Sequence, residues 1–225
     1  MIESTTQRQP AGCQEDKMKI LILFYSTYGH MHKMALAAAE GASRIDGAQV
    51  DIKRIPETLP EEVLAKMGAT DAQKAFAHIP LAEVKDLKEY DAIIFGVPTR
   101  YGLPSAQVQT FLDKTGGLWS KGSLVGKLAG VMTGSGTPHG GQETTIRSVH
   151  TALLHHGMVL AGLPYTFPGI SRTDEVTGGS PYGASYIVRN EGQSPTDNEL
   201  DGALYQGEYI AGLAKKMTCC KESSE

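Results

Sequence analysis

The sequence predicts an α/β fold, a five-stranded parallel sheet with helices on both faces. Two observations carry this. Short unbroken apolar runs, Lys19–Tyr25, Tyr90–Gly96 and Leu128–Met132, are each followed by a turn of Gly, Pro and hydroxyl residues. Between them lie stretches of helical periodicity. Strands buried on both faces read as continuous apolar runs rather than alternating ones, and their alternation with helices implies right-handed crossovers.

Taken in order, Lys19–Tyr25 is the first strand and Ser26-Thr-Tyr-Gly-His-Met31 the turn that ends it. Met34, Ala35, Ala38, Ala39 and Ala42 then recur at helical spacing, and Gly47 supplies a stop. Val50–Ile55 is the second strand. From Pro56 to Leu87 periodicity is weak, as expected of an insertion holding one short helix. Tyr90–Gly96 is the third strand; it opens into Val97–Pro104, and a helix spans Ser105–Lys114. Leu128–Met132 is the fourth strand, followed by the loop Thr133–Gly141 and a helix over Thr144–His156. Residues 158–163 make the fifth strand, 164–186 a Gly-, Pro-, Ser- and Tyr-rich stretch, and Thr196–Lys216 the last helix. Thr196 and Glu199 have the spacing of a capping box. Residues 18–217 thus form one domain between polar tails, 1–17 and 218–225, that lack periodicity and are expected to be disordered.

Composition narrows the partners. A chain of 225 residues with 40% apolar content can build a single large core. A net charge of −4 gives no electrostatic reason to expect nucleic acid or an anionic membrane. No run reaches the ~20 apolar residues of a membrane span, and the first 17 residues hold no signal-peptide core. Cys13, Cys219 and Cys220 have neither zinc-site nor disulfide spacing, which places the protein in a reducing, cytoplasmic compartment. Two readings of Cys219 and Cys220 stay open: plain thiols on a tail, or palmitoylation sites forming a weak membrane tether, which acyl-exchange labelling would decide.

All three special loops fall at strand carboxyl ends, where open α/β sheets bind ligands. Ser26, Thr27, Tyr28, Gly29, His30 and Met31 open a helix whose unpaired N–H groups suit a phosphate dianion. No Lys or Arg occurs there before Lys33, which argues against a nucleotide P-loop. Pro98, Thr99, Arg100 and Tyr101 offer polar groups at a Pro-flanked bend. Thr133, Gly134, Ser135, Gly136, Thr137, Pro138 and His139 form a loop small enough for backbone to approach a flat ring. Those are the needs of bound flavin mononucleotide (FMN). The dinucleotide fingerprint is absent, because Gly134, Gly136 and Gly140 are wrongly spaced. A metal site is not expected, since His30 and His32 would point to different faces of a helix.

Further segments carry a family resemblance: Phe24-Tyr-Ser-Thr-Tyr-Gly-His30, Gly96-Val-Pro-Thr-Arg-Tyr-Gly102, Thr115-Gly-Gly-Leu-Trp119, Gly140-Gly-Gln-Glu143, His155-His-Gly-Met158, Gly178-Gly-Ser-Pro-Tyr-Gly183 and Tyr205-Gln-Gly-Glu-Tyr-Ile-Ala-Gly212. In this order they resemble the flavodoxin-like proteins of the WrbA type, NAD(P)H:quinone oxidoreductases. Pro138-His139 departs from the plainer Gly and Thr run of that family. The resemblance implies FMN held by the three loops, NADH or NADPH as co-substrate, quinone as acceptor, and a homotetramer whose sites are completed by neighbouring subunits. It also implies that Trp119 meets the quinone, Tyr28 the nicotinamide nucleotide, and His155 the flavin. The plainer alternative for His155 is a helix C-terminus stabilised by histidine before Gly157. No catalytic side chain is expected, because the flavin carries the chemistry. The other readings are a one-electron carrier, which is usually shorter and more acidic, and a non-catalytic regulatory or stress-associated flavoprotein.

Overall fold

The computed structural model of the chain describes residues 17–188 and 195–222. The thiols of Cys13, Cys219 and Cys220 lie outside that description. In chain order the elements are β1 (Met18–Phe24), α1 (His30–Ser43), β2 (Ala48–Arg54), α2 (Glu61–Lys66), α3 (Thr70–Ala75), β3 (Ala92–Arg100), β4 (Leu103–Pro104) and α4 (Ala106–Asp113). There follow α5 (Gly116–Trp119), β5 (Leu128–Ser135), α6 (Gln142–His155), β6 (Val159–Leu160), β7 (Ser185–Ile187) and α7 (Asp197–Glu222), with 3-10 turns at Val84–Glu89 and Pro168–Ser171.

The sheet runs β2-β1-β3-β5-β6, all parallel, which is the doubly wound order with its switch point between β1 and β3. It holds 7 strands rather than five. One addition is β4, which folds back antiparallel on the end of β3. The other arises because the fifth position is split. β6 pairs with Leu128 and Ala129, the chain leaves the sheet, and β7 returns to pair with Thr133–Ser135. The fifth strand is therefore shorter than the 158–163 expected, and its second half falls where the sequence reads as loop.

Alternation along β1 shows why the strand is apolar from Ile20 onward. Met18, Ile20, Ile22 and Phe24 enter the core under α1 and α7, while Leu21, Leu23 and Tyr25 enter the opposite core with Val108 of α4 and Ile146 of α6. Each fully buried Leu or Ile contributes about 1.5–3 kcal/mol. On the first face α1 and α7 touch backbone to backbone. A Cβ on Gly41 would lie 1.9 Å from the Leu204 carbonyl oxygen, and one on Gly207 2.0 Å from that of Ala38.

Two boundaries differ from expectation. The insertion after β2 holds two short helices and a 3-10 turn instead of one helix, and α7 runs to Glu222, past Lys216. The capping box is formed: the Thr196 N–H donates to Glu199 Oε2 at 2.8 Å and the Glu199 N–H to Thr196 Oγ1 at 3.3 Å. No described helix is long and apolar enough to cross a membrane.

Candidate functional site

The carboxyl ends of β1, β3 and β5 surround a cavity of about 230 Å³. At β1, Gly29 has φ 86° and caps α1, a conformation that glycine adopts without strain. Its N–H donates to Ser26 Oγ at 3.0 Å, folding the turn over the helix start. Gln73 of α3 donates from Nε2 to the carbonyls of Ser26 (2.9 Å) and Thr27 (3.3 Å). Gln73 thus fixes the loop through its carbonyls, and α1 begins at His30 on the cavity wall, where a helix N-terminus favours an anion.

At the end of β3, Thr99 Oγ1 lies 2.6 Å from Thr145 Oγ1 and accepts the Gly102 N–H at 3.2 Å. Tyr101 takes φ 54° and is fully exposed. At the end of β5, the Thr133 hydroxyl donates to the Val97 carbonyl and Ser135 Oγ to that of Thr137, at 2.6 and 2.7 Å. Tyr186 of β7 packs so closely on Gly134 that a Cβ there would meet its ring at 2.0 Å, and it stacks on His30 with centroids 5.7 Å apart. Burial pushes the Tyr186 phenol well above its ordinary pKa.

Of the residues singled out in the sequence, Ser26, Thr27, Tyr28, His30, Pro98, Thr99, Arg100, Gly134, Ser135 and Gly136 line the cavity together. Met31 is fully buried, its sulfur against Gly96, and does not line the cavity. Thr133 is likewise buried and holds β5 to β3 through Val97. Thr137, Pro138 and His139 form the exposed turn beyond Gly136 and do not line the cavity.

His155 and Trp119 are not brought to the cavity of their own chain. α6 starts beside Gly102 and runs 14 residues, about 21 Å at 1.5 Å per residue, before reaching His155. α5 adjoins that far end, where Thr115 Oγ1 lies 2.8 Å from His156 Nε2. His155 and Trp119 are both exposed there.

Two cavity residues escape the sequence reading. Tyr186 and Val188 complete the wall, and their signal is the aromatic and β-branched run Tyr186-Ile187-Val188. A third missed group is the carboxylate beneath the β1 loop. Glu57 accepts hydrogen bonds from Tyr25 Oη (2.7 Å), Gln107 Nε2 (2.7 Å) and the N–H groups of Thr58 and Leu59 (2.8 and 2.9 Å). Burial alone would push its pKa up, but these hydrogen bonds outweigh it and hold the carboxyl below its ordinary range.

A depressed folded-state pKa means that Glu57 stabilises the fold above the ordinary Glu value of about 4.3, and that this contribution is lost as pH falls through the lower folded value. Glu57→Gln is expected to flatten that part of the acid-denaturation curve. Chemical unfolding at pH 7 and pH 3.5 would check it; an unchanged pH slope would show that the network is not ionic.

The donor set fits FMN. Buried hydroxyls and a helix N-terminus suit the phosphate, and the slot between the β3 and β5 loops suits the ring, with open space where Gly136 would carry a Cβ. Among the described lining residues there is no carboxylate, and Arg100 supplies positive charge. That balance favours an anionic ligand. An open parallel sheet with such a cradle at its switch point defines a flavodoxin-like flavoprotein.

The sequence profile of the NADPH-dependent FMN reductases matches residues 18–168, and the chain belongs to that family. It is 60% identical to the NAD(P)H dehydrogenase (quinone) of Geobacter metallireducens over 201 residues, 89% of this chain and 99% of that protein. The Geotalea daltonii protein of the same name is 55% identical, covering 91% and 100% of the two chains. Among solved structures, a WrbA-like flavodoxin protein from Agrobacterium tumefaciens superposes with a TM-score of 0.62 at 23% identity, covering 88% and 98% of the two chains. Flavodoxin 1 of Bacillus cereus gives 0.55 at 16% identity, over 86% and 97%. These structures share the fold.

Proposed function

We propose that the protein is an FMN-dependent NAD(P)H:quinone oxidoreductase that reduces quinones to hydroquinones by two electrons in a ping-pong cycle. The observation that supports this most is the FMN-fitting cavity in a chain 60% identical, nearly end to end, to an NAD(P)H dehydrogenase (quinone). When bound, the flavin supplies a hydride acceptor and donor, so no side chain need form a covalent bond.

The chain positions and shields. Ser26, Thr27 and the N–H groups of the β1 loop hold the phosphate, with Gln73 and Glu57 fixing the loop from behind. Thr99, Arg100, Gly134 and Gly136 orient the ring. Tyr28, 45% exposed at the cavity mouth, offers a face for the nicotinamide nucleotide. Donor and quinone use the same slot in turn, so orientation and exclusion of water serve both half-reactions.

A homotetramer completes the site. Trp119 and His155 can serve a flavin only in a neighbouring copy, and their end of the sheet also exposes Val125 (67%) and Leu154 (59%), as an interface would. A cytoplasmic setting agrees with this chemistry.

Steady-state oxidation of NADH and NADPH by the FMN-loaded protein, with and without benzoquinone, tests the reading. Quinone-dependent turnover with parallel-line kinetics is expected. Flavin binding without turnover would instead favour an electron carrier. Ser26→Ala is expected to raise the FMN dissociation constant about tenfold, the loss of one hydrogen bond to a charged group. Fluorescence titration reads this, and unchanged affinity would move the phosphate elsewhere.

A further inference from the structure

A second cleft, of about 530 Å³, lies beside the flavin cavity. Tyr28, His30 and Val188 line both spaces, so the two adjoin across these residues. The outer wall of the second cleft comes from the insertion after β2, from Met67 and Gly68 at the turn between α2 and α3 and from Ala72 of α3, and Lys33 of α1 lines it as well. This wall is tied to the flavin loop. The Tyr28 hydroxyl donates to the Met67 carbonyl at 3.3 Å, and Gln73, next to Ala72, holds the Ser26 and Thr27 carbonyls.

We propose that this cleft binds the adenosine diphosphate half of the nicotinamide nucleotide, an assignment that rests on the function proposed above. Its volume falls within the span of about 300–1,000 Å³ typical of small-molecule sites. Its composition suits a purine carrying phosphates. Tyr28 gives an aromatic face, Met67 a polarisable apolar contact, and Lys33 a cation for the diphosphate. Adjacency to the flavin cavity lets one ligand place its nicotinamide over the ring and lay its other end across Tyr28. A quinone needs only the inner space. The cleft therefore sets affinity for the donor and leaves the acceptor alone.

Ala72→Trp fills the cleft from its outer wall. The probes are ADP-ribose, titrated calorimetrically into FMN-loaded protein, and a pair of donors: NADH and 1-benzyl-1,4-dihydronicotinamide, which lacks the nucleotide tail. The variant is expected to weaken ADP-ribose binding at least tenfold and to lower kcat/KM for NADH at least tenfold relative to the benzyl donor. Lys33→Ser, which adds no bulk, is expected to weaken ADP-ribose binding about fivefold. No ADP-ribose binding, binding unchanged in both variants, or an equal fall for both donors would overturn the assignment. Undiminished turnover of both donors in Ala72→Trp would remove the cleft and leave the quinone reductase reading intact. Ala72-dependent ADP-ribose binding without quinone turnover from either donor would do the reverse.

Discussion

Glu199→Ala is expected to lower the unfolding free energy by about 3 kcal/mol or more, since a buried donor left unpaired costs about 1–3 kcal/mol. Glu199 is 1% exposed. Its Oε1 accepts the N–H groups of Gly178 and Ile187 at 2.9 and 3.0 Å, and its Oε2 that of Thr196 at 2.8 Å. Removing the carboxylate orphans these donors at once, and the chain is too closely packed there for water to enter cheaply. The loss should reach the flavin site. Ile187 pairs β7 with Ser135, and its neighbour Tyr186 forms the cavity wall over Gly134. FMN affinity should therefore fall with stability. Urea denaturation and flavin titration measure the two effects, and Glu199→Gln, which keeps one acceptor oxygen, should recover part of each. A loss below about 1 kcal/mol would mean that other acceptors replace the carboxylate.

The same residues show what a sequence can and cannot display. Thr196 and Glu199 were legible as a capping box because both ends of that interaction lie within one helical turn. That Glu199 also holds Gly178 and Ile187 was not, because those partners approach through the fold from 21 and 12 residues away. The central strands were legible for a similar reason. Burial on both faces makes the middles of β1, β3 and β5 (Ile20–Phe24, Ala92–Val97 and Leu128–Met132) unbroken apolar runs, so a local window contains the signal. β6 and β7, two and three residues long, are too short for any period to show, and they share one sheet position only because 161–184 leaves and returns. At the site, the loops after β1, β3 and β5 were found because strand ends can be located locally. Gln73 and Glu57 were missed because each acts on the β1 region across a long chain separation, 47 and 32 residues respectively.

Trp119→Ala should reduce quinone turnover at least tenfold, about 1.4 kcal/mol of transition-state stabilisation, while leaving FMN affinity nearly unchanged. The cause follows from where the residue sits. α4 leaves the cavity end of the sheet at Ser105, α5 follows it, and Trp119 emerges 58% exposed beside the C-terminal end of α6. Trp119 does not line the cavity of its own chain, so the effect on turnover is expected to pass between copies. Gly134→Val makes a complementary defect, because its side chain would occupy the Tyr186 ring and close the cavity. Each variant alone should be nearly inactive. Unfolded together and reassembled as mixed oligomers, they should regain activity, since a cavity from the Trp119→Ala chain can meet an intact Trp119 from its neighbour at about a quarter of all sites. Recovery well above the sum of the parents would establish a shared site. No recovery, with mixed oligomers shown to have formed, would place the effect of Trp119 within its own subunit, as a structural residue at the far end of the sheet.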